Sequence, residues 1–464
     1  MTLAFGQTPT ISLSESIALA QVQSTTAKQA RSAYKQATWD YEMYRANLKP
    51  SLALSVTPAR YVSNIVQRYN SEQNQDVYRR QQSYLATSRL TLTQPVTFTG
   101  GTLQVYSDLN YYRTFGLAYQ TQYASSPIVV SYKQQLLGYN PYKWMKHIEQ
   151  KRLRMAQQQL AHSLTIVALQ TANLYTDALV AQKHMELLQE QITNNDTLLA
   201  KALILEQLGR LNTSDVLTLR LELSKTRTQH LEAQQTLHKL LWQLCDYIGL
   251  PHDSHVQLAA LDTPPLPNLS VQEVIQHTLA THPQVLQHII RTTAAQQAVD
   301  KAQKQRWIDP SLELSLGFNQ SGNSLPLAYQ NLLRQDIVSV TISIPIIDWG
   351  VRKRQLYKAK ETLKVAHLAV DEAAQKLHQD IATLMQEIPL RLQVLHLYKT
   401  NIALAQQLQQ ESQERFLLGK TRLEELLRAN QSLHETEQSY LQTLKRCWQN
   451  HYTLQTYLLH TSHD

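Results

Sequence analysis

Two glycine turns in this chain are each followed by acidic side chains at the start of a helical pattern. Asp215 follows Gly209, and Glu424 and Glu425 follow Gly419. A carboxylate in the first turn of a helix is stabilised by the positive end of the helix dipole, so these acids could be ordinary exposed first-turn residues. Any further chemistry that they offer is electrostatic, because the sequence gives them no catalytic partners.

No other pattern in the sequence points to catalysis or to a bound metal. The 17 histidines are scattered and form no HExxH motif, and there is no glycine-rich phosphate loop and no nucleophile elbow. Cys245 and Cys447 lie in helical patterns without metal-ligand spacing, and the sequence neither demands nor excludes a disulfide between them. The sequence therefore predicts no enzyme activity and no cofactor.

The composition predicts extended helical packing. Only 11 of the 464 residues are Gly and 15 are Pro, while 43% are hydrophobic and 7% aromatic, as in long helices rather than a thick core. The formal charge is +8, but 44 Lys and Arg alternate with 36 Asp and Glu. No dense basic run marks a nucleic-acid surface. No window approaches the roughly 18 apolar residues of a spanning helix, so we expect any membrane entry to use strands.

The longest pattern is a narrow helical seam over residues 351–418. Large apolar residues recur there every seven positions with alanines between them, which is typical of two helices packed at close range. At 1.5 Å per residue such a helix is roughly 100 Å long. Gly419 then provides the turn into a second helix, and Pro389 should kink the first because it removes a backbone hydrogen bond. The seam consists of Leu356, Leu363, Val370, Leu377 and Leu384.

The sequence is duplicated. A Pro-Ser-Leu-x-Leu-Ser block at Pro50 returns at Pro310, and the leucine-rich stretch around Gly209 returns around Gly419. Each half is therefore predicted to contain a helix, strands, a very long helix, a glycine turn and a helix. We expect the first helices over about 13–47 and 271–307, the latter with a break at His282. We expect a first repeat over 11–250, a proline-rich linker over 251–268 and a second repeat over 269–460.

The strand regions of the two halves differ. The first half has about four strand candidates, and the second half has two that flank a polar loop. The weak alternation of apolar and polar residues in them suits strands with one lipid-facing and one wet face. The candidates cover 51–56, 84–97, 102–119 and 128–137 in the first half, and 311–318 and 336–347 in the second.

Aromatic residues gather where strands meet helices. Tyr and Trp favour the boundary between membrane and water, because their rings are apolar while their O–H or N–H groups bind water. The same residues could instead close a soluble β-sandwich, and the pattern does not separate these alternatives. They are Tyr139, Tyr142, Trp144, Trp307 and Trp349.

With these features the chain resembles the TolC-like outer-membrane efflux proteins, from about Ile11 to Leu459. The resemblance rests on the duplication and on the Pro-Ser-Leu-x-Leu block before each first strand. It also rests on residues 342–350, which enter the long helix, and on the Leu-Gly-Lys-Thr-Arg-Leu-Glu-Glu-Leu-Leu stretch over residues 418–427.

The resemblance implies a mainly α fold with membrane β-strands. It implies a homotrimer whose long helices form a coiled-coil barrel in the periplasm and whose strands share one transmembrane β-barrel. A few strands per half cannot close a barrel alone, which agrees with symmetric copies. The implied location is the outer membrane of a Gram-negative bacterium, after removal of a signal peptide. The implied partners are a periplasmic adaptor, an inner-membrane transporter driven by protons or ATP, and outer-membrane lipid, and the implied function is a passive exit duct.

The resemblance also implies roles for the helical turns, which form the periplasmic entrance. Acidic residues narrow the pore there. Glu425 matches the first of them, and Asp215 holds the comparable place after the first turn. Arg428 replaces the second acid, so Glu425 and Arg428 of neighbouring copies could latch the entrance by ion pairs. The entrance candidates are Asp215, Glu424, Glu425 and Arg428. The adaptor-docking candidates are Gly209, Leu211, Gly419, Lys420, Thr421 and Arg422, flanked by Leu208, Leu418 and Leu423.

The alternative function is a periplasmic coiled-coil adaptor or scaffold without a pore. Adaptors have one helical hairpin between compact β-domains, whereas this sequence predicts two hairpins and leaves no room for such domains. A soluble cytosolic coiled-coil protein is a third alternative, and it leaves the aromatic junctions unexplained. Residues 1–7 are no intact signal peptide, which agrees either with a removed signal or with a cytosolic protein.

Overall fold

The structure is a computed structural model, and it describes residues 10–70, 74–115, 120–251 and 256–459. The elements in chain order are β1 (Thr10–Ile11), α1 (Leu13–Gln23), α2 (Thr25–Ala46), β2 (Ser51–Asn70), β3 (Gln75–Val96), β4 (Gly101–Phe115), β5 (Gln120–Gln135), α3 (Pro141–Gln207), α4 (Thr213–Ile248), β6 (Gln257–Leu258), α5 (Val271–Thr281), α6 (Pro283–Lys304), β7 (Asp309–Gly322), β8 (Leu333–Ser343), α7 (Val351–Leu417) and α8 (Leu423–Leu458).

The helices of the first half recur in the second half with the same lengths. α1 and α5 have 11 residues, α2 and α6 have 22, α3 and α7 have 67, and α4 and α8 have 36. Both halves also begin with a capping box. In the first, Ser12 and Glu15 each bond the other's backbone N–H with a side-chain oxygen, and Ser270 and Glu273 repeat this. The predicted duplication is confirmed.

The first helix of each half is interrupted, although we predicted a single helix over 13–47. α1 ends because Ser24 is extended, and the Ser24 hydroxyl accepts a hydrogen bond from the Ala27 N–H at 3.2 Å. A serine side chain that bonds the nearby backbone competes with helix continuation in this way. His282 is extended at the same place in the second half, as expected for a residue before proline.

Six strands form one antiparallel sheet in the order β2-β3-β4-β5-β7-β8. The division into four strands and two strands is therefore confirmed, but several bounds are wrong. β2 continues to Asn70. It was predicted too short because Pro58 and the polar residues after it do not show the alternation of a strand. β8 ends at Ser343, since Pro345 cannot donate to a strand ladder. Residues 116–119, the end of the third predicted strand, lie outside the described residues.

The chain forms two compact units, each built from segments of both halves. The first unit consists of Met1–Gln36, Met155–Leu286 and Asp371–Asp464, and the second of Ala37–Arg154 and Gln287–Val370. The first contains both glycine turns, and the second contains the six-stranded sheet. These units group residues by contact rather than by repeat, and the repeat boundaries stay a prediction.

Within the first unit, the described part of the predicted linker is tied to the long helices. β6 pairs in parallel with β1. The hydroxyl of Tyr175 on α3 lies 2.9 Å from the carbonyl oxygens of Ile11 and Ala259, and these satisfy the polar end of a fully buried side chain. The indole N–H of Trp448 on α8 donates to the Asp262 carbonyl at 2.9 Å. The described part of the linker is therefore packed against the long helices by specific hydrogen bonds.

The predicted seam lies on α7, which continues through Pro389. Leu356, Leu377 and Leu384 are buried within the single chain. Proline lacks an N–H, so the carbonyl of Met385 has no helical partner, and a kink at this point stays a prediction. No helix within the described residues is both long and apolar enough to cross a membrane.

Candidate functional site

Both glycine turns end their helices in the same way. Gly209 and Gly419 have φ of +70° and +73°. The N–H groups of Gly209 and Arg210 each donate at 2.9 Å to a carbonyl of the preceding helical turn, and those of Gly419 and Lys420 repeat both bonds. This double bond pattern is a Schellman motif, which satisfies carbonyls at the helix end. A Cβ at either glycine would meet no atom within 4 Å, so the requirement for glycine is conformational.

The two turns share one hydrophobic cluster within the first unit. It places residues of both helical hairpins in contact, so the two tips of one chain are packed together. Its buried members are Leu198, Ala202, Val216, Leu219, Phe416, Leu423 and Leu426. Leu423 is therefore not available for docking, whereas Leu208 and Leu418 are 66% and 69% exposed.

The predicted entrance residues lie around the second turn, mostly in solvent. Glu424, Glu425 and Arg428 are exposed, and Asp215 at the first turn is half-buried. The hydroxyl of Thr421 donates to the Glu425 carboxylate. Within the part of the chain that the structure describes, no ion pair joins Glu425 to Arg428. The Glu425 carboxylate is thus held by its own turn.

The first turn lacks this hydrogen bond. Leu211 occupies the place that Thr421 has in the second repeat, and a leucine offers no hydroxyl to Asp215. Neither following helix has a side-chain cap, since Asn212 and Arg422 stand at the N-cap positions without a side-chain hydrogen bond. The two tips therefore share backbone geometry but differ in their polar contacts.

The six-stranded sheet has one apolar face. The cross-strand register aligns Leu52, Leu92, Val105, Val130 and Leu316 in one row over five strands. Side chains that are directly opposite each other project to the same side of a sheet. Leu52 and Leu316 are 66% and 53% exposed, so this row has no cover within the chain. We call this side the apolar face.

The opposite face of the sheet is polar. Arg89 and Asp108 lie directly opposite each other there and form an ion pair, with Nη2 2.7 Å from Oδ2. Lys133 and Glu313 form a second cross-strand ion pair at 3.0 Å. The predicted alternation of apolar and wet faces is therefore present in the folded sheet.

Tyrosines cross the apolar face farther along the strands. Tyr84, Tyr111 and Tyr123 lie on three neighbouring strands with ring centroids 6.1 and 5.1 Å apart, and Tyr61 lies 6.5 Å from Phe115. We call these five residues the tyrosine row. It lies eight positions along β3 from Leu92, or roughly 26 Å. The row was not predicted, because the predicted strands over 51–56 and 128–137 leave out Tyr61 and Tyr123 and because the cross-strand register that aligns the rings is not visible in the sequence. The excess of 23 Tyr over 5 Phe was a signal for it.

The predicted junction aromatics lie at the helix-bound end of the sheet, within the second unit. Trp144 donates its indole N–H to Asp300 at 2.9 Å, and the Tyr139 hydroxyl accepts from Gln297 at 3.1 Å. Tyr142 is half-buried in the first turn of α3. Trp307 and Trp349 are 70% and 84% exposed. Two of these side chains are therefore fixed to α6, and the two exposed tryptophans remain candidates for an interfacial role.

A polar cluster that the sequence did not reveal lies between α3 and α8 in the first unit. The side-chain amide nitrogen of Gln438 lies 3.2 Å from His184 Nδ1 and 3.0 Å from His434 Nε2. Burial lowers the pKa of both histidines, and a charge on His434 lowers the pKa of His184 further. Burial and then the charge of Glu190 raise the pKa of the Glu437 carboxyl.

Two cavities flank this histidine pair. One, of about 460 Å³, is lined mostly by amide side chains together with Glu190 and Glu437. The other, of about 580 Å³, contains His184 and His434 in its wall. Among the described residues, no group of three or more His, Cys, Asp or Glu could hold a metal ion.

The chain has the fold of known outer-membrane channels. The outer membrane protein VceC from Vibrio cholerae matches with a TM-score of 0.69 at 15% identity, over 96% of this chain and 95% of that chain. CusC matches with 0.69 at 16% identity, over 96% and 91%. The Campylobacter jejuni CmeC outer membrane channel matches with 0.68 at 13% identity, over 96% and 85%. At these identities the likeness shows the fold.

The second half of the chain also carries a family signature in its sequence. Residues 274–458 match the outer membrane efflux protein family. No curated protein matches the sequence. Together with the shared fold, this match confirms the resemblance to the TolC-like outer-membrane efflux proteins.

Proposed function

We propose that this chain is the outer-membrane exit duct of a tripartite efflux or secretion system. It conducts substrate passively from the periplasm to the exterior of a Gram-negative bacterium. The observation that supports this most is the uncovered apolar face of a sheet whose strands continue into the 67-residue helices α3 and α7. An exposed apolar surface over five strands requires lipid or protein as cover. Helices of this length measure roughly 100 Å, enough to extend deep into the periplasm.

The working form is a homotrimer. Among the described strands, β2 and β8 stand at the two edges of the sheet with one neighbour each. An open sheet edge is unstable in lipid, because its N–H and C=O groups find no partners there. Further copies of the chain therefore supply the missing neighbours, and a total of three copies is what the resemblance implies.

The tips bind a periplasmic adaptor, which links the duct to an inner-membrane transporter. Leu208 and Leu418 are exposed beside the two capped turns, and Lys420 and Arg422 are exposed in the second. The docking surface includes Gly209, Leu211, Gly419, Lys420, Thr421 and Arg422. Asp215, Glu424, Glu425 and Arg428 form the entrance. Energy comes from the transporter, and no cofactor or nucleic acid takes part.

The test is single-channel conductance of the detergent-purified protein in a planar bilayer. Discrete, long-lived and mostly small steps support a duct that rests nearly closed. Folded, trimeric protein that never inserts would contradict the proposal and favour a periplasmic adaptor or scaffold without a pore. Circular dichroism and trimer mobility in detergent establish that the sample is folded before each recording.

A further inference from the structure

The β2–β3 hairpin continues beyond the tyrosine row. β2 and β3 remain paired from Tyr61 and Tyr84 out to Asn70 and Gln75, whereas the pairing of β3 with β4 stops at Gln82. Seven residue pairs, from Asn64 and Gln81 out to Asn70 and Gln75, therefore have no third strand beside them among the described residues, which corresponds to about 24 Å of hairpin. This hairpin extends the apolar face along the strands.

All the helices that connect directly to the sheet do so at the end opposite the turn between β2 and β3. β2 and β7 begin after α2 and α6, and β5 and β8 end before α3 and α7. In an antiparallel sheet these four strand termini lie at the same end of the sheet. The hairpin therefore points away from the helices, which under the proposed function means out of the cell.

The hairpin carries a different chemistry on the apolar face than the rows of leucine and valine below it. Tyr61, Ile65, Tyr69 and Tyr78 are 59%, 72%, 63% and 73% exposed. Register and alternation put them on the same side as Tyr84. Tyrosine combines a broad apolar ring with a hydroxyl that bonds polar groups, so it suits a layer that is neither hydrocarbon nor bulk water.

Two arginines flank these rings. Arg80 lies directly opposite Ile65 and donates from Nε to the Ser63 hydroxyl at 3.1 Å. Arg113 lies opposite Tyr84, with its guanidinium 5.4 Å from the ring centre of Phe115. Both side chains are exposed. On the described strands of this face beyond the tyrosine row, Asp76 is the one carboxylate, and it accepts a hydrogen bond from Gln67 at 2.7 Å.

We infer that this surface binds the phosphorylated glycolipid of the outer leaflet, lipopolysaccharide. We define the surface as Tyr61, Ile65, Tyr69, Tyr78, Arg80 and Arg113. The acyl chains continue along the apolar face, the two guanidiniums pair with lipid phosphates, and the tyrosine rings pack against the inner sugars. Guanidinium forms paired, charge-assisted hydrogen bonds with phosphate. The inference rests on the proposed function, because only an outer-membrane orientation places the hairpin at that leaflet.

The test is binding of purified rough lipopolysaccharide to the full trimer in detergent. We expect wild type to bind lipopolysaccharide more tightly than phosphatidylglycerol. Replacing both arginines, Arg80→Gln with Arg113→Gln, should weaken lipopolysaccharide binding by about tenfold or more, since two charge-assisted contacts are lost. Dephosphorylated lipopolysaccharide should bind wild type as weakly as the intact lipid binds this variant.

The matched control removes two exposed positive charges from α4, Arg220→Gln with Lys239→Gln, and should bind as wild type does. A second variant, Tyr69→Ser with Tyr78→Ser, tests the rings without a change in charge and should also weaken binding. Equal affinity for lipopolysaccharide and phosphatidylglycerol would overturn the inference. So would arginine and control variants that bind equally. Each variant is first compared with wild type for trimer mobility in detergent.

Conductance in a bilayer of phospholipid alone separates this inference from the proposed function. Wild type that conducts there but shows no preference for lipopolysaccharide contradicts the lipid site and leaves the duct intact. Folded wild type that never inserts contradicts the duct, and the lipid site fails with it.

Discussion

Arg227 on α4 donates two hydrogen bonds, at 3.0 and 3.1 Å, to the carboxylate of Asp196 on α3. Both bonds come from the guanidinium nitrogen Nη2, and this ion pair joins the two helices of the first hairpin. Gln406 and Glu437 stand at the equivalent places of the second hairpin, and they offer no cation. The two hairpins share their lengths and turns but not this contact.

Removing either partner should loosen the first hairpin locally. Both side chains are about half exposed, so Arg227→Gln or Asp196→Asn should cost no more than about 1 kcal/mol of local opening free energy. Hydrogen exchange of the α4 amides measures this as a protection loss of up to about fivefold. The double variant should lose little beyond either single one, and Arg220→Gln should lose nothing. Fully additive losses would show that the pair is not coupled.

The histidine pair between α3 and α8 should make stability depend on pH. The folded state holds the pKa of His184 and His434 below the ordinary value of 6.5. The unfolded chain therefore binds more protons as pH falls through that value, and the contribution is complete above 6.5 and lost below it. We expect the urea midpoint of the trimer to fall between pH 7.5 and pH 5.5.

In the double variant His184→Gln with His434→Gln, the urea midpoint should fall less between pH 7.5 and pH 5.5 than it does in wild type. Burial lowers the pKa of His282 to about 4. His282 is unchanged in this variant, so the part of the pH dependence that it causes should remain. Glu437 acts with the opposite sign, because its raised pKa favours the protonated folded state. Adding Glu437→Gln therefore separates the two effects. An unchanged slope in the histidine double variant would rule out the pair as a pH-dependent contact.

The glycine turns should tolerate asparagine better than alanine. Gly209→Ala or Gly419→Ala forces a side chain into the left-handed region, which costs about 1 kcal/mol. Asparagine visits that region more readily, and a Cβ meets nothing at either position. Hydrogen exchange at the turn amides should therefore rank glycine, asparagine and alanine in that order of protection. Equal losses for asparagine and alanine would point to a steric cause that the structure does not contain.

We expect the proposed entrance to leak if Glu425 or Arg428 is removed. If Glu425 and Arg428 of neighbouring copies latch the tip, Glu425→Ala or Arg428→Ala alone should raise single-channel conductance, and the double variant should add little. Thr421→Val, which frees the Glu425 carboxylate within one chain, tests the competing role of the turn itself. No change in either single variant would end the latch hypothesis.

The two sheet faces should respond differently to charge. Leu54→Arg places a cation on the apolar face, where lipid would cost it about 2–4 kcal/mol, whereas Ala53→Arg places it on the polar face at small cost. The neighbouring positions match in strand and depth. Assembly of heat-stable trimers in outer-membrane fractions measures the difference, and equal assembly of both variants would contradict a lipid-facing surface.

Repeated and strongly periodic features could be predicted from the sequence. The glycine turns were predictable because few residues adopt positive φ, and the seam of α7 follows from leucines at heptad spacing. The break at His282 follows from the proline after it. The break at Ser24 was missed, because it depends on a hydroxyl that bonds the backbone of Ala27, and the sequence does not say which serine does so.

Contacts between distant segments could not be predicted. His184 and His434 meet because α3 and α8 pack side by side, and nothing local in either helix marks them as partners. The tyrosine row requires the register of four strands, which turn and bulge geometry sets. The outer half of β2 was not predicted, because its residues are mostly polar and a strand without aliphatic alternation resembles a loop in the sequence.

The equal helix lengths in the two halves constrain how this chain can change. An insertion or deletion within α3 or α4 alone would displace Val216 from the cluster that it shares with Leu426. A change in the length of α3 and α4 preserves this cluster only if α7 and α8 change in length by the same amount. The strands of the six-stranded sheet are not matched in this way, since the first half contributes four of them and the second half contributes two. Natural variation in length should therefore accumulate in the hairpins of the sheet, and paired indels should mark the helices.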